Sequence, residues 1–193
     1  MIPRIPELFR QSIAVKQAFL DDTRNLEVLE RVLEEMVAVF RKGGKALFCG
    51  NGGSAADAQH IAAELSGRFY LDRPPVFAEA LHVNSSFLTA VANDYGYDAA
   101  FARMVEAAGR PGDLLFALST SGNSANILNA AKSARDLGMV VIGLTGQGGG
   151  KLRELCHYCV EVPSGDTPRI QEVHITIGHL LCELVEKALF GKN

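Results

Sequence analysis

The sequence predicts an α/β protein: a parallel five-stranded sheet with helices on both faces, three layers in all, preceded by two further helices. Three observations carry that prediction. Five short apolar runs alternate with helical patterns from residue 45 onward, and a crossover between parallel strands lays a helix on a face of the sheet. The strand candidates are mostly apolar along their length, as strands covered on both faces are. Three loops at strand ends, NGGS, STSGNS and TGQGGG, are rich in glycine and hydroxyls, and in such sheets ligands bind at the carboxyl ends of the strands.

In chain order, Pro6 to Asp21 and Leu26 to Lys42 repeat apolar residues at helical spacing, and Gly43-Gly44 stops the second helix. These two helices stand outside the alternation and must pack on the sheet or on a partner subunit. Lys45 to Gly50 is the first strand and Ser54 to Leu65 an alanine-rich helix. Glu79 to Val83 is the second strand, followed by helical stretches around Ser86 to Ala92 and Asp98 to Ala107. Asp113 to Ser119 is a strand, Ser124 to Leu137 a helix, and Met139 to Thr145 a strand. A glycine run and a short helix follow; His157 to Val162 is the last strand and Pro168 to Phe190 a long closing helix. No repeat or linker divides the chain. Residues 1–193 are therefore expected to form one domain, with 1–43 as leading helices and 44–193 as the α/β core.

Composition narrows the function classes. Hydrophobic residues make up 48% and charged residues 21%, with a formal net charge of -3, so neither general disorder nor a basic nucleic-acid surface is expected. No apolar run approaches the roughly 20 residues of a membrane span. Met1 to Lys16 reads as an amphipathic helix without a signal-peptide core. A soluble cytoplasmic protein without nucleic-acid or membrane partners is the expectation. The four cysteines fit it as small buried hydrophobes in a reducing compartment. Cys156 and Cys159 form a C-x-x-C, but three residues apart on a strand they are expected to face opposite sides of the sheet, which disfavours a disulfide or a shared metal.

Ser119-Thr120-Ser121-Gly122-Asn123-Ser124 is a strand-to-helix turn with four hydroxyls in six positions. Hydroxyls and the N–H groups of a helix start suit a phosphate. No lysine follows as in a nucleotide-triphosphate loop, and helix capping would explain one or two polar residues. A sugar phosphate fits. The earlier loop, Gly50-Asn51-Gly52-Gly53-Ser54-Ala55, matches a dinucleotide-binding turn, but the acid required roughly 20 residues on falls in Leu71-Asp72-Arg73-Pro74-Pro75, which cannot be a strand end. Gly52 and Gly53 still allow close approach of a ligand, with Asn51 and Ser54 as polar contacts.

His60 and Glu64, four residues apart, project from nearly one helix face. On the closing helix Gln171 and His179, eight residues apart, share one broad face. Two histidines, a glutamate and a glutamine on two helices could converge on a divalent metal such as zinc, or act directly as base and acid. Spacing alone does not choose between these roles.

On CGNGGSAADAQHIAAELSGRF, TAVANDYGYD, LSTSGNSANILNA, LTGQGGG and PRIQEVHITIGHLLCELVE, in that order, the chain resembles sugar isomerase (SIS) domain proteins, and within them the phosphoheptose isomerases. The likeness covers essentially the whole chain. It implies a flavodoxin-like SIS fold and an aldose–ketose isomerase that turns D-sedoheptulose 7-phosphate into D-glycero-D-manno-heptose 7-phosphate through an enediol, feeding ADP-heptose and the lipopolysaccharide core. It also implies that Asn51, Gly52, Gly53, Ser54, Glu64, Asn93, Asp94 and Gln171 contact substrate, and that Ser119, Thr120, Ser121 and Ser124 hold its phosphate. Glu64 would be the base and His179 its acid partner, with one zinc per subunit on His60, Glu64, Gln171 and His179. A homotetramer with active sites at subunit contacts is implied as well. A tetrameric scaffold of the same fold, which binds a replication initiator, lacks the equivalents of Glu64 and His179. Sugar-phosphate-sensing regulators usually carry a separate DNA-binding domain, for which no segment is seen. An isomerase of another sugar phosphate is set aside only by the family likeness.

Overall fold

The computed structural model describes residues 4–191. Two helices, α1 (Arg4–Leu20) and α2 (Thr23–Arg41), lead into β1 (Ala46–Gly50) and α3 (Gly53–Ser66). Then come β2 (Ala78–Ala80), α4 (Ser85–Tyr95), a 3₁₀ turn (Tyr97–Ala99), α5 (Ala100–Ala108), β3 (Leu114–Ser119) and α6 (Ala125–Asp136). The chain continues through β4 (Val140–Thr145), a second 3₁₀ segment (Gly150–Leu155), β5 (Tyr158–Glu161) and α7 (Thr167–Phe190). The five strands pair in the order β2-β1-β3-β4-β5, all parallel.

The predicted elements are all present, with ends shifted by a few residues. Two differ in kind. The second strand is shorter than expected: after Ala80, the Leu81 N–H donates to Phe48 O and the chain turns away, and the Asn84 side chain caps α4 through the Phe87 N–H. The helix expected over Asp98–Ala107 is split into the 3₁₀ turn and α5.

Strand residues alternate between two apolar layers. Phe48, Leu114, Phe116, Ile142 and Val160 meet α2, α3 and α7 on one face, where Phe48 and Phe116 stack with ring centroids 4.7 Å apart. Leu47, Cys49, Leu115, Ala117 and Val141 meet α5, α6 and the second 3₁₀ segment on the other. The leading helices thus do pack on the domain. Asp22 caps α2, and Asn25 ties it to β5 by bonding both the N–H and the carbonyl of Glu161. α1 buries only Phe19 and leaves Ile5, Leu8, Phe9 and Ile13 exposed.

The cysteine pair departs from expectation. Cys156 precedes β5, so strand alternation does not govern it. Its sulfur and that of Cys159 both lie over Gly143 of β4, 2.5 Å and 3.5 Å from where a Cβ would stand. The two side chains share one side of the sheet, in the space that a side chain at 143 would fill. All four cysteines are free thiols.

Candidate active site

The strand order reverses between β1 and β3: from β1 the chain goes outward to β2, and from β3 it goes the other way to β4 and β5. Loops leaving neighbouring strands at that reversal diverge and leave a crevice. The two loops here are NGGS and STSGNS, for Gly50 and Leu118 are register partners on the adjoining strands. A reciprocal amide pair bolts them together. Asn51 Nδ2 donates to Asn126 Oδ1 (2.9 Å), Asn126 Nδ2 donates back to Asn51 Oδ1 (2.8 Å), and the Tyr97 hydroxyl donates to the same Asn51 oxygen (3.0 Å). The Asn51 side chain is therefore occupied in fixing its own loop. Asn93 and Asp94 are exposed at the end of α4, just before Tyr97, with Asn93 Nδ2 donating to Asp94 Oδ1 at 2.9 Å.

In the hydroxyl turn, Ser124 stands at the N-cap of α6 without making a side-chain capping bond. The Ser119 hydroxyl instead donates to Ser124 Oγ at 3.3 Å. Asn123 braces the turn: its Nδ2 donates to Ser121 O and its Oδ1 accepts from the Lys151 N–H. Capping does not use these hydroxyls, and the positive end of α6 lies beside them, as an anion site requires. Thr120 is half-buried and Ser121 exposed.

Beside the crevice, α3 and α7 run side by side in one direction: Gly53 meets Gln171, and Ile61 meets Gly178. At Gly178 a Cβ would sit 2.5 Å from Ile61 Cδ1, so a bare glycine sets the close approach. The residues flanking that contact are His60 and His179. His60 Nε2 lies 3.0 Å and His179 Nε2 3.6 Å from Glu64 Oε1, and the two ring nitrogens are 3.4 Å apart. These three side chains form the one cluster of metal-ligating groups among the described residues. Glu64 Oε2 is buried without a hydrogen-bond partner.

Sequence reasoning missed Asp57, although it lies three and seven residues before His60 and Glu64 on the same helix face. Burial pushes its carboxyl up to about 6, against the pull of His60 and then His179, and its Oδ2 also has no partner. Cys182, one turn beyond His179, is buried; burial and the nearby Glu64 carboxylate hold its thiol protonated. Phe69 stacks its ring on that of His179, centroids 6.0 Å apart.

Gln171, on the same helix as His179, lays its amide against bare Gly53, 2.6 Å from where a Cβ would stand. Ser54 is buried in the first turn of α3. Gln171 and the NGGS loop thus form the crevice wall, with Glu64 and the two histidines further along the same two helices.

A family model described as SIS domain matches residues 9–146. The chain belongs to the SIS domain family. Among curated relatives, phosphoheptose isomerase of Rhodospirillum rubrum is 62% identical over 154 residues, covering 80% of this chain and 82% of that one. Phosphoheptose isomerase of Mycobacterium tuberculosis is 55% identical over 185 residues, 96% of this chain and 94% of its own. Among solved structures, phosphoheptose isomerase from Neisseria gonorrhoeae superposes with a TM-score of 0.89 at 42% identity, covering 96% of this chain and 98% of that one. Within that family the chain belongs with the phosphoheptose isomerases. No helix among the described residues is long and apolar enough to cross a membrane.

Proposed function

We propose that the protein is a phosphoheptose isomerase, interconverting D-sedoheptulose 7-phosphate and D-glycero-D-manno-heptose 7-phosphate in the cytoplasm, at the entry to ADP-heptose and lipopolysaccharide-core synthesis. The observation that carries the reading is the grouping of Glu64, His60 and His179 beside a crevice whose hydroxyl turn is open to a phosphate. The reaction moves protons between C1 and C2 of a sugar phosphate. With the phosphate held by Ser119, Thr120, Ser121 and Ser124, and the chain of the sugar laid along Asn51, Gly52, Gly53, Ser54, Asn93, Asp94 and Gln171, Glu64 takes a proton from C1. His179 gives one to O2, leaving an enediol. Glu64 then returns its proton to C2 and His179 recovers one from O1, which makes the aldose and restores both groups. Proton transfer of this kind by positioned side chains contributes roughly 10²–10⁴-fold.

A zinc ion fits the donor set, for imidazole nitrogens and carboxylate oxygens are ligands that zinc takes, and the unpartnered oxygens of Glu64 and Asp57 offer negative charge beside it. His60, Glu64 and His179 would hold it, one per subunit, with the Gln171 amide as the fourth ligand. Bound there, it would polarise the C1–C2 oxygens. The exposed row Ile5, Leu8, Phe9 and Ile13 of α1 supports burial between copies in a homotetramer. The deciding experiment incubates purified protein with sedoheptulose 7-phosphate and follows aldose formation. Glu64→Gln should lower turnover by roughly two orders of magnitude with little change in Tm; turnover near the native rate would remove Glu64 as the base.

A further inference from the structure

Helix α3 ends at Ser66, within one turn of Glu64 and Leu65, so its last carbonyls lack partners within the helix. One side chain collects them. Arg73 Nη2 donates to Glu64 O at 3.0 Å, and Nη1 donates to Leu65 O at 2.8 Å, Gly67 O at 3.2 Å and Pro74 O at 3.1 Å. Its Nε donates to Glu186 Oε1 at 3.0 Å. Glu186, on α7 two turns beyond His179, accepts from three successive backbone N–H groups as well: Phe69 at 3.1 Å, Tyr70 at 2.8 Å and Leu71 at 2.8 Å. The pair is sealed from water, with side-chain exposures of 4% and 2%. Every nitrogen and both carboxylate oxygens are spoken for, as a buried ion pair requires.

The placement relates this pair to the reacting groups. The guanidinium grips the carbonyl of Glu64 itself. The carboxylate belongs to the helix that carries His179 and fixes the backbone of Phe69, whose ring stacks on His179. The two helices that contribute the cluster meet at Gly53 and Gln171 and again at Ile61 and Gly178; the Arg73–Glu186 pair is a further connection, beyond the cluster from the crevice.

We propose that Arg73 and Glu186 are positioning residues for the isomerisation: by locking the end of α3 to α7 they hold Glu64, His60 and His179 at the separations that proton transfer and metal binding need. The proposal rests on the reading of Glu64 and His179 as the reacting pair. Lysine cannot replace arginine here, because a single ammonium cannot reach both arms of the fork. A second ion pair serves as control. Lys45 Nζ and Asp113 Oδ2, 2.6 Å apart, join the first ends of β1 and β3, at the opposite end of the strands from the crevice.

The test compares Arg73→Lys, Glu186→Gln, Asp113→Asn and Glu64→Gln, each as the full zinc-loaded chain, below the temperature at which any of them unfolds. Arg73→Lys and Glu186→Gln should each lower kcat and weaken zinc affinity roughly tenfold or more, as loss of groups that orient ligands does, while KM, set at the hydroxyl turn, stays within a small factor. Asp113→Asn should lower Tm and leave kcat and zinc affinity unchanged. If Glu186→Gln does not fold, Arg73→Lys decides alone. Folded variants with native kcat and native zinc affinity would overturn the positioning role. Native turnover in Glu64→Gln would overturn instead the reading on which it rests.

Discussion

His60 and His179 point their Nε2 atoms at each other across 3.4 Å, with Glu64 Oε1 within 3.6 Å of both. Two imidazole nitrogens converging beside a carboxylate suit a divalent cation. Purified protein should therefore carry about one zinc per subunit. Chelation should lower activity and zinc should restore it. His60→Ala should lose metal and activity together. Full activity in rigorously metal-free protein would leave the three side chains as an acid–base cluster and take zinc out of the reaction.

Ser119→Ala and Ser124→Ala should raise KM, each lost hydrogen bond to a charged phosphate being worth about 1.5–3 kcal/mol, and inorganic phosphate should compete with substrate in the native enzyme. Gly122→Ala should do worse. Gly122 has φ 64, and a Cβ there would strike the Gly149 carbonyl, so the hydroxyl turn and the glycine loop behind it would have to separate. Steady-state kinetics of the double serine variant with unchanged KM would remove the phosphate from this turn.

Gly178→Ala forces a methyl onto Ile61 and should cost about 1–3 kcal/mol as overpacking does. It should also lower kcat, because the contact lies between His60 and His179. Ile61→Ala removes both offending carbons, so the double variant should be less destabilised than the two single effects summed. Additive denaturant midpoints would mean that the helices do not set their spacing at this contact.

His174 is fully buried with Nε2 3.1 Å from Thr145 O, and burial pushes its pKa down from 6.5 to about 4. The unfolded chain thus binds a proton that the fold refuses. Stability from this group is full above pH 6.5 and is lost as the pH falls towards 4, by about 3 kcal/mol at most. Thermal melts of zinc-free protein should drop in Tm across that window, and His174→Gln should flatten the drop even though it lowers Tm at pH 7. Parallel pH profiles for the two proteins would count against this assignment.

Much of this was legible in the sequence, for physical reasons. β1, β3 and β4 are covered on both faces, so apolar runs announce them; β2 has only three residues in register, and nothing local says where it stops. The hydroxyl turn was readable because capping alone cannot occupy four hydroxyls. Asp57 was overlooked among alanines although it repeats with His60 and Glu64 at helical spacing. The paired cysteines were misjudged because strand alternation was applied to a residue outside the strand. Arg73 and Glu186 lie 113 residues apart, and no local pattern joins them.

His179 sits in the last helix of the described chain, and 119 residues separate it from His60. Contacts of such separation carry the largest loop-closure entropy and tend to form late. A chain in which α7 has not yet docked therefore lacks one of the two histidines, and no degree of order in the strands or the hydroxyl turn can complete the cluster without it.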